Sequence, residues 1–416
     1  MNISTLSFSI KPLSAVVALA VTALVGLPRS LSAEDLFVIG TDTGVQGGGS
    51  SLPDLVEDFL LARGQFSGLE NEPEYDAELR YAGVANAIEM EVNALGTNVT
   101  LRIPSTGFER NFSGLDREDV EQQIEDFIQD EGAREWGKFQ SEMAKRSLVA
   151  VTDGNPNSTT ARAADGTFQE FGRRPASTRA SRRSAASGGG RFGFSFFPGY
   201  SRFEAGEFDG EAYSLHFALR ARLTDRVGIA LVTPAAYVRL EGAEVYHLGA
   251  TAGIPLILIP DRGGSRWFWQ VTPSGGLMGS GSIDFAGGGL VEHFAGTSLL
   301  SYSLGNVVLS MGNQYGTYRG RNTSYDDYDI HTHVNQRIVK HGLTLSLPFG
   351  RNWAMDLYGE DTHFRRDAAI DHYNGLGGNL VYQFGGGRGY FRAGLVHEFA
   401  DDYSAYTGQA GFGMRF

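Results

Sequence analysis

The sequence predicts an all-β fold, a transmembrane antiparallel β-barrel of about twelve strands, preceded by a small soluble α+β domain. The first observation is composition: 56 of the 416 residues are glycine and 12% are aromatic, which is typical of strands joined by tight turns. The second is a regular alternation of apolar and small polar residues from residue 191 onward. The third is a strongly acidic first part that mixes strand and helix patterns.

Composition also excludes several classes of protein. The chain has no cysteine, which excludes a disulfide framework, a thiol nucleophile, iron–sulfur clusters and thiolate zinc sites. A net charge of −13 and a mean hydropathy of −0.19 argue against nucleic-acid binding and against a bundle of membrane-spanning helices. We therefore expect no nucleic-acid partner and no cofactor.

Residues 1–33 predict a secretory signal peptide. One early base, Lys11, precedes an apolar run from Leu13 to Leu27, and small residues follow at Ser32 and Ala33. This order is typical of a cleavable export signal. The alternative is an N-terminal anchor helix, but the run is short for a membrane span and no basic flank follows it. We expect an exported protein.

Residues 34–150 predict an acidic soluble α+β domain. The segment contains 24 acidic and 9 basic side chains. Apolar residues alternate with polar ones over residues 77–81, 88–92 and 99–103. Because period-2 alternation is typical of half-buried strands, these three stretches are predicted to be strands.

Two helices are predicted after these strands. Apolar residues have helical spacing over residues 120–128 and again over 136–143, and Ser113 with Asp116 resembles a capping box before the first helix. The many acids around that helix suggest either a binding face or, more simply, its solvated side. The region contains no phosphate loop, zinc signature or nucleophile elbow, so the sequence assigns it no function.

Residues 151–190 predict a flexible linker. Their second half reads RRPASTRASRRSAASGGG and has almost no apolar side chain. Such a segment buries too little surface to offset the entropy lost on ordering. Contact of this cationic tract with acidic lipid headgroups or nucleic acid is an alternative.

Residues 191–416 carry the barrel pattern. Odd-numbered residues from Tyr213 to Leu223 are apolar, whereas Ser214, His216 and Arg220 stand between them. In a strand the two sets point to opposite faces. One face stays aliphatic and aromatic while the other is small and polar, as in strands with lipid outside and a polar lumen inside. An open sheet would leave unpaired backbone groups in hydrocarbon, so these strands must close into a barrel.

We count about twelve such segments, and an even number returns both ends of the barrel chain to the same side of the membrane. Ten or fourteen strands stay possible because three segments are weakly marked and the sequence PLILIP interrupts the pattern. The segments lie near residues 192–205, 210–223, 226–240, 243–257, 265–281, 286–303, 306–319, 328–347, 352–365, 371–384, 388–400 and 403–416.

The end of the chain resembles the C-terminal insertion signal of Gram-negative outer-membrane β-barrels. That signal combines a polar residue, a glycine, a hydrophobic residue and a terminal aromatic residue, and Gln409, Gly411, Met414 and Phe416 occupy these positions. The resemblance implies a cell outer-membrane location, contact with outer-membrane lipid and recognition by the barrel-assembly machinery. It covers the barrel part of the chain, and we recognise no family for residues 34–150.

The candidate functional residues are charged and titratable residues at the alternate strand positions that face the lumen. They can tune the passage of a charged solute, or they can pair with each other and fill the lumen; both interpretations stay open. These residues are His216, Arg220, Arg222, Asp356, Glu360, Arg392, Glu398 and Arg415.

Four residues suggest a metal site but have a simpler explanation. Two carboxylates and two imidazoles at alternate positions of an extended segment would lie on one face, where they could hold a divalent ion. They follow a loop-like sequence in which polar side chains are usually solvated, so we expect no metal. The residues are Asp327, Asp329, His331 and His333.

Ser214 and His216 share one face of a strand, as do the serine and histidine of barrel-embedded acyl hydrolases. Here that face is the lumen, and no partner for an oxyanion hole is evident. We therefore expect that the protein is not an enzyme.

Two functions remain. In the first, the barrel is a small channel or a membrane anchor, and the N-terminal domain stays in the periplasm. In the second, the order of signal, N-terminal domain, linker and barrel resembles that of autotransporters, whose barrel exports or displays the N-terminal part. The sequence favours the first, because the N-terminal domain is short for that family, lacks its repetitive β-helix pattern, and is followed by no evident helix that would thread the pore.

Overall fold

The computed structural model describes residues 35–129, 132–173, 191–260, 265–325 and 328–416. The predicted signal peptide and most of the Ser/Arg/Gly tract therefore lie outside the described residues. Within these ranges, no helix is both long enough and apolar enough to cross a membrane.

The N-terminal region is an α+β unit, as predicted. Six antiparallel strands form one sheet with the order β2-β1-β3-β4-β5-β6, and the three predicted strands are β3, β4 and β5. The strands are β1 (Phe37–Thr41), β2 (Gln46–Gly49), β3 (Glu74–Tyr81), β4 (Val84–Asn93), β5 (Asn98–Ile103) and β6 (Phe108–Ser113). The helices are α1 (Leu52–Leu60), α2 (Arg117–Gln129) and α3 (Ala133–Ala144).

The predicted capping box lies three residues too early. Helix α2 begins after Asp116, whose carboxylate accepts a hydrogen bond of 2.9 Å from the amide of Asp119. The Asp119 carboxylate in turn accepts one of 3.0 Å from the amide of Leu115. An aspartate therefore caps this helix instead of Ser113, because its carboxylate reaches the free amides of the first turn.

The C-terminal part is a closed antiparallel barrel, as predicted. Twelve long strands of the described chain pair in sequence order, β21 pairs with β7, and β10 pairs directly with β12. The long strands are β7 (Phe192–Ala205), β8 (Phe208–Arg222), β9 (Gly228–Leu240), β10 (Ala243–Gly253), β12 (Trp267–Ser282), β13 (Gly287–Leu304), β14 (Val307–Arg321), β17 (Asn335–Phe349), β18 (Trp353–Phe364), β19 (His372–Phe384), β20 (Gly389–Ala400) and β21 (Tyr403–Arg415). Short strands lie in two loops: β11 (Leu256–Ile259), β15 (Thr323–Tyr325) and β16 (Tyr328–Ile330).

Most strand boundaries agree with the predicted segments within a few residues. The largest difference is in the eighth segment, predicted to start near residue 328, because β17 starts at Asn335. The sequence PLILIP belongs to the connection between β10 and β12, where β11 pairs with β12.

The outer face of the barrel is apolar. Leu248, Phe294 and Leu376 expose 64%, 64% and 58% of their surface. A row of tyrosines crosses β7 to β10 on this face, with ring centroids 5.2, 6.0 and 5.2 Å apart. Aromatic rows above an apolar band are typical of membrane barrels. The tyrosines are Tyr200, Tyr213, Tyr237 and Tyr246.

We name the two rims of the barrel by what they carry. The tail end is the rim where β7 begins and β21 ends; the cap end is the opposite rim, where the turn between β12 and β13 contacts the N-terminal region. Phe285 in that turn packs its ring 5.4 Å from Phe37 and 6.2 Å from Tyr81. The indole of Trp136 donates a hydrogen bond of 2.6 Å to the carbonyl of Ala286. The N-terminal sheet and the cap end thus share one hydrophobic core.

Candidate functional site

A helix lies inside the barrel. Thr159–Phe171 forms this lumen helix, capped at Ser158, whose hydroxyl accepts from the amide of Ala161 at 3.4 Å. Its side chains reach most of the barrel wall, from β8 and β9 around to β19 and β21. The prediction of a flexible linker is therefore wrong for this part of residues 151–190.

The lumen helix runs from the cap end towards the tail end. At its start, the Thr159 hydroxyl lies 3.4 Å from Nδ1 of His247, one residue on the cap side of the middle of β10. At its end, the Phe171 ring fills the space beside Gly253, the last residue of β10 at the tail end. The chain thus crosses the lumen between the N-terminal region and the start of β7.

Small residues let the helix fit. Ala161, Ala163 and Ala164 are buried on the helix. On the wall, a Cβ at Gly312 would overlap the carbonyl oxygen of Gly172, and one at Gly342 would crowd the Phe168 ring. Glycine on the lumen face therefore makes room for the helix backbone.

One ion pair holds the last turn of the lumen helix. The Glu170 carboxylate, of which 2% is exposed, accepts two hydrogen bonds from the Arg220 guanidinium, one of them 2.7 Å from Nη2 to Oε2. The Nε2 atom of His216 lies 3.6 Å from the same Oε2. Two predicted lumen residues therefore bind one carboxylate of the helix, in the bidentate geometry that favours Arg.

A second network joins the helix to the opposite wall. Lys340 pairs with Asp165 of the helix and lies 3.4 Å from Oε2 of Glu360. Glu360 also pairs with Arg173, whose guanidinium lies 4.2 Å from the centre of the Tyr358 ring. Cations and carboxylates thus alternate between helix and wall, which compensates the charges that the lumen buries.

The remaining lumen candidates line the space that the helix leaves free. A cavity of about 160 Å³ has Glu398 in its lining, and a smaller one of about 30 Å³ has Asp356 and Arg392. Asp356 accepts a hydrogen bond of 2.6 Å from Ser346, and Arg392 lies 4.1 Å from the centre of the Phe197 ring.

Two predicted lumen residues lie at the tail end instead, outside the network around the helix. The Arg222 amide donates to the carbonyl of Arg191 at 2.7 Å, and the Arg415 amide donates to the carbonyl of Arg388 at 2.7 Å. Arg415 is exposed. Both positions are at strand ends, where alternation no longer determines the environment of a side chain.

Sequence reasoning missed the helix partners and Lys340. Glu170, Asp165 and Arg173 lie in the predicted linker, where a short acid-containing stretch before the Ser/Arg/Gly tract was the only available signal. Lys340 is at a lumen-facing position of β17, but the alternation of apolar and polar residues in that segment was weak.

The four residues of the insertion signal divide between the two faces of β21. Gln409 accepts a hydrogen bond of 3.2 Å from Gln169 of the lumen helix, and Gly411 packs against Phe197. Met414 and Phe416 are 37% and 65% exposed on the outer face.

The metal and hydrolase candidates are not assembled into sites. Asp327 and the side chain of Asp329 lie outside the described residues, and among the residues described no three His, Asp or Glu side chains form a metal-binding group. His216 faces Glu170, and no hydrogen bond links it to Ser214 in the described ranges.

The mouth of the barrel at the cap end contains a partly buried carboxylate, Asp153. It accepts hydrogen bonds of 2.6 Å from Thr160 and 3.4 Å from Gln336. Burial raises the pKa of Asp153 to about 6, and these hydrogen bonds only partly oppose that rise.

The sequence matches no family model and no curated protein. Among solved structures, the chain is similar to the translocator domain of autotransporter NalP from Neisseria meningitidis, with 13% identity, 62% of this chain and 97% of that chain covered, and a TM-score of 0.42. It is also similar to the beta domain of the Bordetella autotransporter BrkA, with 12% identity, coverage of 54% and 100%, and a TM-score of 0.40. An outer membrane channel from Pseudomonas putida F1 has 11% identity, coverage of 55% and 96%, and a TM-score of 0.43.

Proposed function

We propose that this chain is an outer-membrane barrel of the autotransporter type that holds its N-terminal region at the cell surface. The observation that carries the proposal is the lumen helix, which crosses the barrel from the cap end to the tail end. A chain that crosses the lumen once has its N-terminal region at one rim and the first barrel strand at the other.

The insertion signal supplies the orientation. Its resemblance to outer-membrane barrels implies that the assembly machinery receives β21 from the periplasm, which assigns the tail end to the periplasm. The cap end and the N-terminal region then face outward. This reverses the preference that the sequence suggested, because one of its three grounds, a linker with no evident helix, is removed by the lumen helix.

The contents of the lumen support display over solute passage. The lumen helix pairs with both sides of the wall through Glu170 and Asp165, and the cavity beside it that Glu398 lines is about 160 Å³. An open channel would need this helix to leave. The proposal includes no catalytic step and no cofactor.

Cysteine labelling tests the proposal directly, since the chain has no cysteine of its own. Ser105 is exposed in the turn between β5 and β6, and Arg351 is exposed in a tail-end turn. With a membrane-impermeant maleimide on intact cells, we expect Ser105→Cys to be labelled and Arg351→Cys to be labelled only after lysis. The reverse result would establish a periplasmic N-terminal region and refute the proposal.

A further inference from the structure

We infer that three arginines on the outside of the cap end bind the phosphate groups of lipid headgroups in the outer leaflet. We call Arg319, Arg337 and Arg365 the basic rim patch. This inference rests on the proposed function, because it requires the cap end to lie in the outer leaflet.

The three arginines are neighbours on adjacent strands. Arg319 is two residues beyond Thr317, which lies directly opposite Arg337 in the pairing of β14 with β17. The amide of Arg365, the residue after β18, donates to the carbonyl of Arg337 at 2.8 Å. One phosphorylated headgroup can therefore contact more than one guanidinium.

These guanidinium groups are available to a ligand. All three residues are exposed, and none has an ion pair within the described residues. The nearest acid in the register, Glu292, lies opposite Arg319 but pairs with Arg321 at 2.5 Å. On these outer strand faces, the three positive charges thus lie near two carboxylates, Glu292 and Asp361, and each of these has another partner, Arg321 and His363 respectively.

The position of the patch selects a lipid over a soluble anion. On the outer faces of the same strands, exposed Met311, Leu343 and Leu357 lie further toward the tail end. Polar outer residues, Asn313 on β14, His341 on β17 and Asp361 on β18, follow this apolar band. The arginines lie beyond them, nearer the cap end, at the level where headgroups meet the barrel. The planar guanidinium fork matches two phosphate oxygens at once.

The balance of charge differs between sectors of the cap-end rim. On β7 to β10, the outer positions near the rim carry Arg202 and Arg239 together with Glu204, Glu211 and Glu244, and Glu211 lies opposite both arginines. The charge of the patch is therefore a local feature of β14, β17 and β18 that complements an anionic headgroup.

Lipid binding by the full chain in detergent tests the inference. The probes are diphosphorylated lipid A and the same lipid with both phosphates removed, with bound lipid counted by native mass spectrometry. The test variant is Arg319→Gln/Arg337→Gln/Arg365→Gln. The control is Arg226→Gln/Arg351→Gln/Arg388→Gln, three exposed arginines in tail-end turns.

We expect the patch variant to bind diphosphorylated lipid A at least about tenfold more weakly, since each lost contact is a charge-assisted hydrogen bond. The control and the phosphate-free lipid should show no such dependence. An Arg→Lys version of the patch, which keeps the charge but loses the fork, should be intermediate; it also provides the readout if the Gln variant does not fold.

Equal binding by the patch variant and the wild type would overturn the inference. Full competition by millimolar inorganic phosphate would also overturn it, because the site would then be one for free phosphate. Since this binding is measured in detergent, its failure is distinct from failure of the cysteine-labelling test, which reports the orientation alone.

Discussion

At the residue scale, a single carboxylate fixes the end of the lumen helix. We expect Glu170→Gln to leave the Arg220 guanidinium without its partner inside the barrel. Removing one member of a buried pair costs about 3 kcal/mol or more, and the 34% exposure of Arg220 places the cost at the lower end. Hydrogen exchange of the helix amides should then become about 100-fold faster.

A surface pair provides the control for that measurement. Glu142 and Lys145 form an ion pair of 2.5 Å at the C-terminal end of α3, with more than a third of each side chain exposed. Glu142→Gln should change stability by less than about 1 kcal/mol, because solvent screens such pairs. If Glu170→Gln behaved like this control, the ion pair would not anchor the helix.

The partly buried carboxylate at the barrel mouth, Asp153, predicts a pH dependence of stability. The folded-state pKa of Asp153 is about 6, above the 3.8 of an unfolded aspartate, so the folded chain binds its proton more tightly. Stability should therefore rise as pH falls from about 7 to about 4, by at most about 3 kcal/mol.

The thermal unfolding temperatures of wild type and Asp153→Asn at pH 7 and pH 4.5 check this sign. Other carboxylates titrate in both proteins, so the informative quantity is the difference between them. Asp153→Asn should be the more stable protein at pH 7 and should lose that advantage at pH 4.5. A difference that does not change with pH would show that Asp153 is not responsible.

The alternation of residues along the strands predicted which side chains face the lumen, but it did not identify their partners. Alternation along β8 gives the orientation of His216 and Arg220 because the period of a strand is fixed by its backbone. Their shared contact with Glu170 joins residues 46 to 50 positions apart and exists only once the helix is inside the barrel. No local pattern contains that information.

At the element scale, the fit between wall and helix depends on glycine. Gly312 faces the lumen against the Gly172 carbonyl, so Gly312→Leu should push the end of the helix from its position at a cost of about 1–3 kcal/mol. Ion conductance in planar bilayers should rise as the lumen opens.

The neighbouring strand offers a matched control. Gly296 is exposed, and a Cβ added there would meet nothing within 4 Å. Gly296→Leu should leave conductance unchanged and add one apolar side chain on the outer face. Equal conductance in the two variants would contradict the role assigned to Gly312.

The strands were predictable from the sequence and the lumen helix was not. Each barrel strand buries one face and exposes the other, so apolar and polar side chains alternate along consecutive residues and the strand can be recognised locally. The lumen helix is surrounded on all sides by a mostly polar wall, and it needs small residues and paired charges instead of an apolar stripe. Ala161, Ala163 and Asp165 therefore look like linker residues in isolation.

At the scale of the whole molecule, the N-terminal region and the barrel are joined by a shared core. The polar link from Arg80 to Glu207, at 3.3 Å, lies at its edge, and the aromatic contacts of Phe285 lie at its centre. This arrangement implies a domain docked on the barrel mouth, which sequence analysis did not anticipate because the two surfaces come from residues about 200 positions apart.

The turn between β12 and β13 allows this docking to be tested with two substitutions two residues apart. Phe285 is 1% exposed and contacts Phe37 and Tyr81, whereas Ile283 is 85% exposed. Phe285→Ala should weaken docking by about 3 kcal/mol, because it removes a ring and leaves a cavity. Limited proteolysis should then cleave around residues 145–158 faster than in the wild type, while Ile283→Ala should not differ from it. Equal protection of the two variants would show that the N-terminal region is held by the lumen helix alone and that the aromatic contacts add nothing to its attachment.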